Sequence, residues 1–172
     1  LFSTLRADYQ STSYPVLLFL VIWTALNLAQ GFFTELADDE AYYWAFSEVL
    51  NFGYFDHPPM VAWIMALGSS FIEDELGLRL VGILFSTLTL WTLWKLYQSL
   101  SSTASAVYFI FAVSSISMFH LYGFISTPDT PLLFFGAWFL MAFKAYLKSN
   151  RWVYIIELIL VCAALMYSKY HG

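Results

Sequence analysis

An all-α polytopic membrane protein is the fold class this sequence predicts, and three observations predict it. Sixty per cent of the 172 residues are hydrophobic and only 11% are charged, giving a mean hydropathy of +0.69. Seven Trp, twelve Tyr and seventeen Phe exceed what a soluble core of this size absorbs, so lipid must cover much of the surface. Apolar runs long enough to cross about 30 Å of hydrocarbon as helices recur along the chain.

The first run, Tyr14 to Phe33, is uncharged over twenty residues and follows a polar start containing Arg6. It is longer than a signal-peptide core and lacks a small-residue cleavage pattern, so it is expected to stay as span one. Leu78 to Tyr97 is the second, with Arg79 and Lys95 snorkelling to opposite interfaces. Ala104 to Ile125 is the third, Thr130 to Leu147 the fourth with Lys144 snorkelling, and Trp152 to Ser168 the fifth. Glu157 within the fifth is expected to face protein or water. Between spans one and two, residues 34–77 form a long loop. Its Pro58 to Phe71 stretch is too short to cross, and residues 40–50 mix aromatic rings with Glu40, Ser47 and Glu48. Two interfacial helices suit that composition.

With the N-terminus in the cytoplasm, Arg6, Lys95, Lys144, Lys148 and Arg151 lie inside and only Arg79 and Lys169 outside, which follows the positive-inside rule. The 34–77 loop, the 126–129 turn and the terminal Lys169-Tyr170-His171-Gly172 then share the extracytoplasmic face. A net charge of −5 without a basic run argues against nucleic-acid binding. The lone Cys162 excludes a disulfide framework and a thiolate metal site, and reads as a small apolar packing residue. Five spans followed by no tail read as the N-terminal part of a larger transmembrane domain, its remainder missing.

Residues 38–59, DDEAYYWAFSEVLNFGYFDHPP, hold five of the twelve acids and one of the three histidines. Asp38, Asp39 and Glu40 open a helix, where carboxylates ordinarily cap free N–H groups and complement the helix dipole. At the end of a membrane span, one of them could instead take a proton from an acceptor hydroxyl. Asp56 and His57 precede two prolines that fix the chain. The plain reading is a turn with Asp56 as helix cap. As ligands the pair suits a divalent cation, but two donors are too few for a complete site. Asp129, between prolines, is by default a turn residue. Lys169 and His171 end the fifth span on the same face and could attract a lipid phosphate. His120 reads as a hydrogen-bonded packing residue of span three.

Taken in order, DDEAYYW, FGYFDHPPMVAWIMALG, ELGLRL, STPDTPLLFF and the closing SKYHG resemble the bacterial branch of the dolichyl-phosphate-mannose protein mannosyltransferase-like glycosyltransferases of the GT-C superfamily, over about residues 34–172. The lipid A aminoarabinose transferases are related. The resemblance implies a multi-spanning enzyme of a bacterial inner membrane with its active site on the periplasmic face. Its donor would be a polyprenyl-phosphate sugar and its acceptor a protein, lipid or polysaccharide. Asp39 and Glu40 match the family's catalytic pair, with Asp39 the base. By the same resemblance Asp56 and His57 inherit contacts to a divalent metal ion and to the lipid phosphate. Tyr54 in the same run, Asp129, Lys169 and His171 become candidate substrate contacts. An inverting transfer needs one base for the hydroxyl and cations for the departing phosphate, so a second catalytic acid is not demanded. The alternative is a transporter or flippase of lipid-linked substrates, which would use Glu157 and His120 and broken helices at mid-membrane. No Gly or Pro interrupts a span there.

Overall fold

The computed structural model describes residues 2–101 and 104–170, with side chains from residue 13 onward, and those residues form helices without a strand. In chain order they are α1 (Phe2–Phe33), α2 (Asp38–Ser47), α3 (Met60–Ser69), α4 (Glu75–Leu100), α5 (Ala106–Ser115), α6 (Ser117–Phe124), α7 (Asp129–Ser149) and α8 (Trp152–Ser168). Ser13–Phe33 of α1, α4 and α7 are long and apolar enough to cross a bilayer. The chain is a multi-pass membrane protein. The short α2 and α3 fall in the loop between the first two long helices, where interfacial helices were expected.

α4 is the central helix, packed against α1, α3, α6 and α7. Its middle joins Val16, Leu20 and Trp23 of α1 and Ala106, Phe109 and Val113 of α5 around Leu90 and Trp94. Lipid tails are as apolar as these side chains, so interhelical hydrogen bonds and close packing carry the association. Trp23 Nε1 donates to Ser86 Oγ at 3.2 Å, and the Thr24 and Thr87 hydroxyls meet at 2.7 Å. A second cluster, Tyr43, Val61, Met65 and Leu78, fastens α2 and α3 onto the start of α4. The turn from α3 to α4 requires glycine: a Cβ on Gly77 would lie 1.8 Å from the Ile72 carbonyl oxygen. Asn150, at φ 49°, supplies the left-handed residue that separates α7 from α8.

The helix expected across 104–125 is broken. α5 and α6 meet at an angle of 77° with Ile116 extended between them. Neither Gly nor Pro causes this. Ser114, Ser115 and Ser117 flank the break, and such hydroxyls compete with the helical ladder. Ser115 Oγ donates to the Phe111 carbonyl, and the His120 ring meets the Ser114 carbonyl through Nε2 at 3.0 Å. His120 is thus hydrogen-bonded but exposed, its ring 5.1 Å from Trp23. Cys162, expected in the packing, also lies on an exposed face. α8 has 17 residues, which extend about 26 Å at 1.5 Å per residue. Its Glu157 accepts from Trp138 Nε1 at 2.6 Å, so it faces α7.

Both α4 and α7 start where α1 ends, so they run antiparallel to α1 and parallel to each other. The last turn of α1, the first turns of α4 and α7 and the last turns of α6 and α8 therefore meet α2 and α3 at one end of the bundle, the loop end.

Candidate active site

The loop end is built on a buried ion pair. Arg79, in the first turns of α4, is 1% exposed and Glu40, in the first turn of α2, is 0% exposed. Arg79 Nε and Nη2 donate to the two Glu40 oxygens at 2.9 and 2.6 Å. The same guanidinium collects the carbonyls of Gly31, Thr34 and Glu35, closing the C-terminal end of α1. Glu40 also accepts from Ala37 N at 3.1 Å, the backward half of a capping box, and from Ser126 N at 2.9 Å. A buried charge in so apolar a setting persists only when it is fully partnered, and this pair is.

That geometry corrects the expectation of Glu40 as a catalytic residue, because both its oxygens are committed inside the protein. It also corrects Arg79, read from sequence as snorkelling to an interface. An arginine one turn into an apolar helix demands a partner, and that demand was the available signal. Of the three acids opening α2, Glu40 does the capping. Asp39, one residue earlier, is exposed and has no hydrogen-bond or ion-pair partner among the described residues.

The 50–59 loop is clipped onto α2 by a circuit of polar side chains that the sequence reading did not foresee. The Tyr42 hydroxyl donates to both Asp56 oxygens at 2.9 Å, and Tyr43 OH lies 3.1 Å from His57 Nε2. His57 Nδ1 is 3.1 Å from Asp56 Oδ1 but off the hydrogen-bond direction, so that contact is electrostatic. Asp56 is therefore not a helix cap; Pro59 occupies the N-cap of α3. His57 beside it holds the Asp56 carboxyl below its ordinary range, reinforced by Tyr42, and the same hydrogen bond raises the Tyr42 phenol. Burial pushes Tyr43 up to about 12, with the charges of Asp39, Asp56 and Asp129 adding to it.

Asp129 sits in the first turn of α7 and pairs with Lys169, just beyond α8, at 2.7 Å. Both, together with Asp39, act on Tyr122 at the end of α6. Tyr54 contributes otherwise than expected: its hydroxyl donates to the Phe46 and Val49 carbonyls and accepts from Asn51 N, while its ring stacks on Phe46 at 4.1 Å. In this arrangement it acts as a loop strut. Tyr170 OH reaches the Tyr54 carbonyl at 3.3 Å and closes the site from the α8 side. His171 lies outside the described residues.

No three acidic, histidine or cysteine side chains gather to hold a metal ion among the described residues. Asp56 and His57 face each other and the two tyrosines, so these residues alone do not fit a divalent cation. What the arrangement offers, among the described residues, is a carboxylate without a partner, Asp39, at the same end of a membrane bundle as a carboxylate paired with an ammonium, Asp129 with Lys169.

A family model described as dolichyl-phosphate-mannose-protein mannosyltransferase matches residues 56–172. It includes Asp56, Arg79, Asp129 and Lys169 and begins after Asp39 and Glu40. No curated protein and no solved structure matches the chain.

Proposed function

The chain belongs to the dolichyl-phosphate-mannose-protein mannosyltransferase family and is a membrane glycosyltransferase using a polyprenyl-phosphate sugar, and from that premise we propose an inverting transfer to a hydroxyl acceptor at the periplasmic face of a bacterial inner membrane. In this reading Asp39 is the general base. It takes the acceptor's proton as the hydroxyl oxygen attacks the anomeric carbon, and the bond to the phosphate oxygen breaks with its electron pair leaving on the polyprenyl phosphate. Lys169, and His57 when protonated, stabilise that departing charge, while Asp129 orients Lys169. No step is routed through a metal ion.

The observation that supports this reading is that hydrogen bonds tie the elements bearing these groups together at one end: Tyr42 to Asp56 and Tyr43 to His57 join the 50–59 loop to α2, Glu40 next to Asp39 holds the Ser126 N–H before α7, and Lys169 pairs with Asp129. Four separate elements supply those groups, which mere helix capping does not require. The test is to incubate native membranes containing the protein with radiolabelled polyprenyl-phosphate sugars. Asp39→Asn should abolish transfer of label while the protein accumulates normally; unchanged transfer removes Asp39 from the mechanism.

One observation favours a second reading, a transporter or flippase of lipid-linked substrates: the 77° break at Ile116 resembles the discontinuous helices of carriers. It predicts that substrate movement survives Asp39→Asn and is lost on His120→Ala.

A further inference from the structure

Resting on the reading of Asp39 as the base, we propose that the Arg79–Glu40 pair is a positioning element that sets the separation of Asp39 from Asp129 through the Ser126 turn. Asp39 has no side-chain partner among the described residues, so its place is fixed only by the backbone of α2. That backbone is anchored one residue on, where Glu40 is gripped by Arg79. The same Glu40 oxygen that accepts from Arg79 Nε accepts the Ser126 N–H, three residues before Asp129. Ser126 is itself fully buried, and its hydroxyl donates to the Leu78 carbonyl at 3.0 Å, one residue from Arg79. The start of α2 and the start of α7 are therefore tied to one point on α4.

The tie is tight enough to be moved without touching a charge. A Cβ on Gly82 would sit 2.8 Å from Ser126 Oγ, so Gly82→Ala forces that hydroxyl to give way, either by leaving the Leu78 carbonyl or by carrying the 126–129 turn away from α4, and the proposal requires the latter. Removing that hydroxyl with Ser126→Gly restores the room and keeps the backbone N–H that bonds Glu40. A displacement of the order of 1 Å in a catalytic constellation can lower turnover about a hundredfold.

The experiment measures kcat and donor KM in membranes for Gly82→Ala, Ser126→Gly and the double variant, with thermal unfolding of each purified protein. The expected result is a kcat at least about tenfold lower for Gly82→Ala, donor KM within about threefold, and recovery in the double variant, following from the dependence of rate on alignment. A purely structural contact would instead lower the unfolding temperature and leave kcat per folded molecule unchanged, and that result overturns the proposal. So does failure of the double variant to regain turnover while folding normally. Arg79→Lys, which keeps the charge but cannot span both carboxylate oxygens, should also lose kcat if it folds; wild-type turnover in that variant overturns the proposal as well. Loss of transfer in Asp39→Asn with an unaffected Gly82→Ala would sink this inference alone, whereas activity in Asp39→Asn would sink the reading beneath it.

Discussion

The two ends of the bundle carry charge in opposite ways. At the loop end, charged and phenolic side chains bond across elements: Arg79 to α1 and α2, Glu40 to the α6–α7 turn, Lys169 to α7, Asp56 to α2. At the other end, among the described residues, Lys144 reaches the Ser99 backbone and hydroxyl, Lys95 lies over the Trp91 ring at 4.4 Å, and Lys148 and Arg151 are exposed. The first end spends side-chain freedom on fixing a constellation; the second leaves long cations near a polar boundary. Chemistry that needs fixed geometry belongs at the first.

The comparison can be broken by substitution. Asp39→Asn should have the largest effect on transfer, lowering it by about 10²–10⁴, the usual contribution of a general base. Truncating one member of the buried pair, as in Arg79→Leu, should destabilise the fold by about 3–5 kcal/mol, because the Glu40 charge is left buried without its partner. Chemical denaturation in detergent would read that loss; a variant as stable as the parent would mean the pair is not what holds the loop end.

Acidification should loosen the Tyr42–Asp56 clip next. The folded Asp56 carboxyl is held below its ordinary 3.8, so the stabilisation is present above that value and is lost as pH falls through the lower, folded one. Hydrogen exchange of residues 50–57 should rise only in that acid range, and Tyr42→Phe should weaken that pH dependence without abolishing it, because His57 is the larger cause of the lowered Asp56 value. If exchange in the parent rises outside that acid range, protonation of Asp56 is not what loosens the clip. The smallest effect is expected at the opposite end, where Lys144→Met should change stability by no more than about 0.5 kcal/mol in an unfolding measurement.

Much of the architecture was legible in the residues. Composition dictates helices in lipid, and the aromatic mixture after Glu40 and the apolar run after Pro59 announced two short helices. The break at Ile116 was not legible, because no Gly or Pro, the residues that usually mark an interruption, stands at it. The gathering of Asp39, Asp56, Asp129 and Lys169 at one end followed from counting spans and charges. That Glu40 is committed to a buried ion pair and Tyr54 to backbone carbonyls could not be read from the local motif, because nothing in it tells which polar atoms are consumed inside. Tyr42 and Tyr43 passed as aromatic anchors for the same reason: their hydroxyl partners lie fourteen residues away.

By itself the amino-acid order determined that this chain forms a helical membrane bundle and that its acids cluster between the first two long helices, since hydropathy and charge act over a single turn or a single span. Which of two adjacent acids would be buried was decided only by tertiary structure. Asp39 and Glu40 differ by about 100° around α2, and their surroundings come from Arg79 and Ser126, 39 and 86 residues further along the chain. A carboxylate becomes a strut or a reacting group according to what those distant elements bring to it.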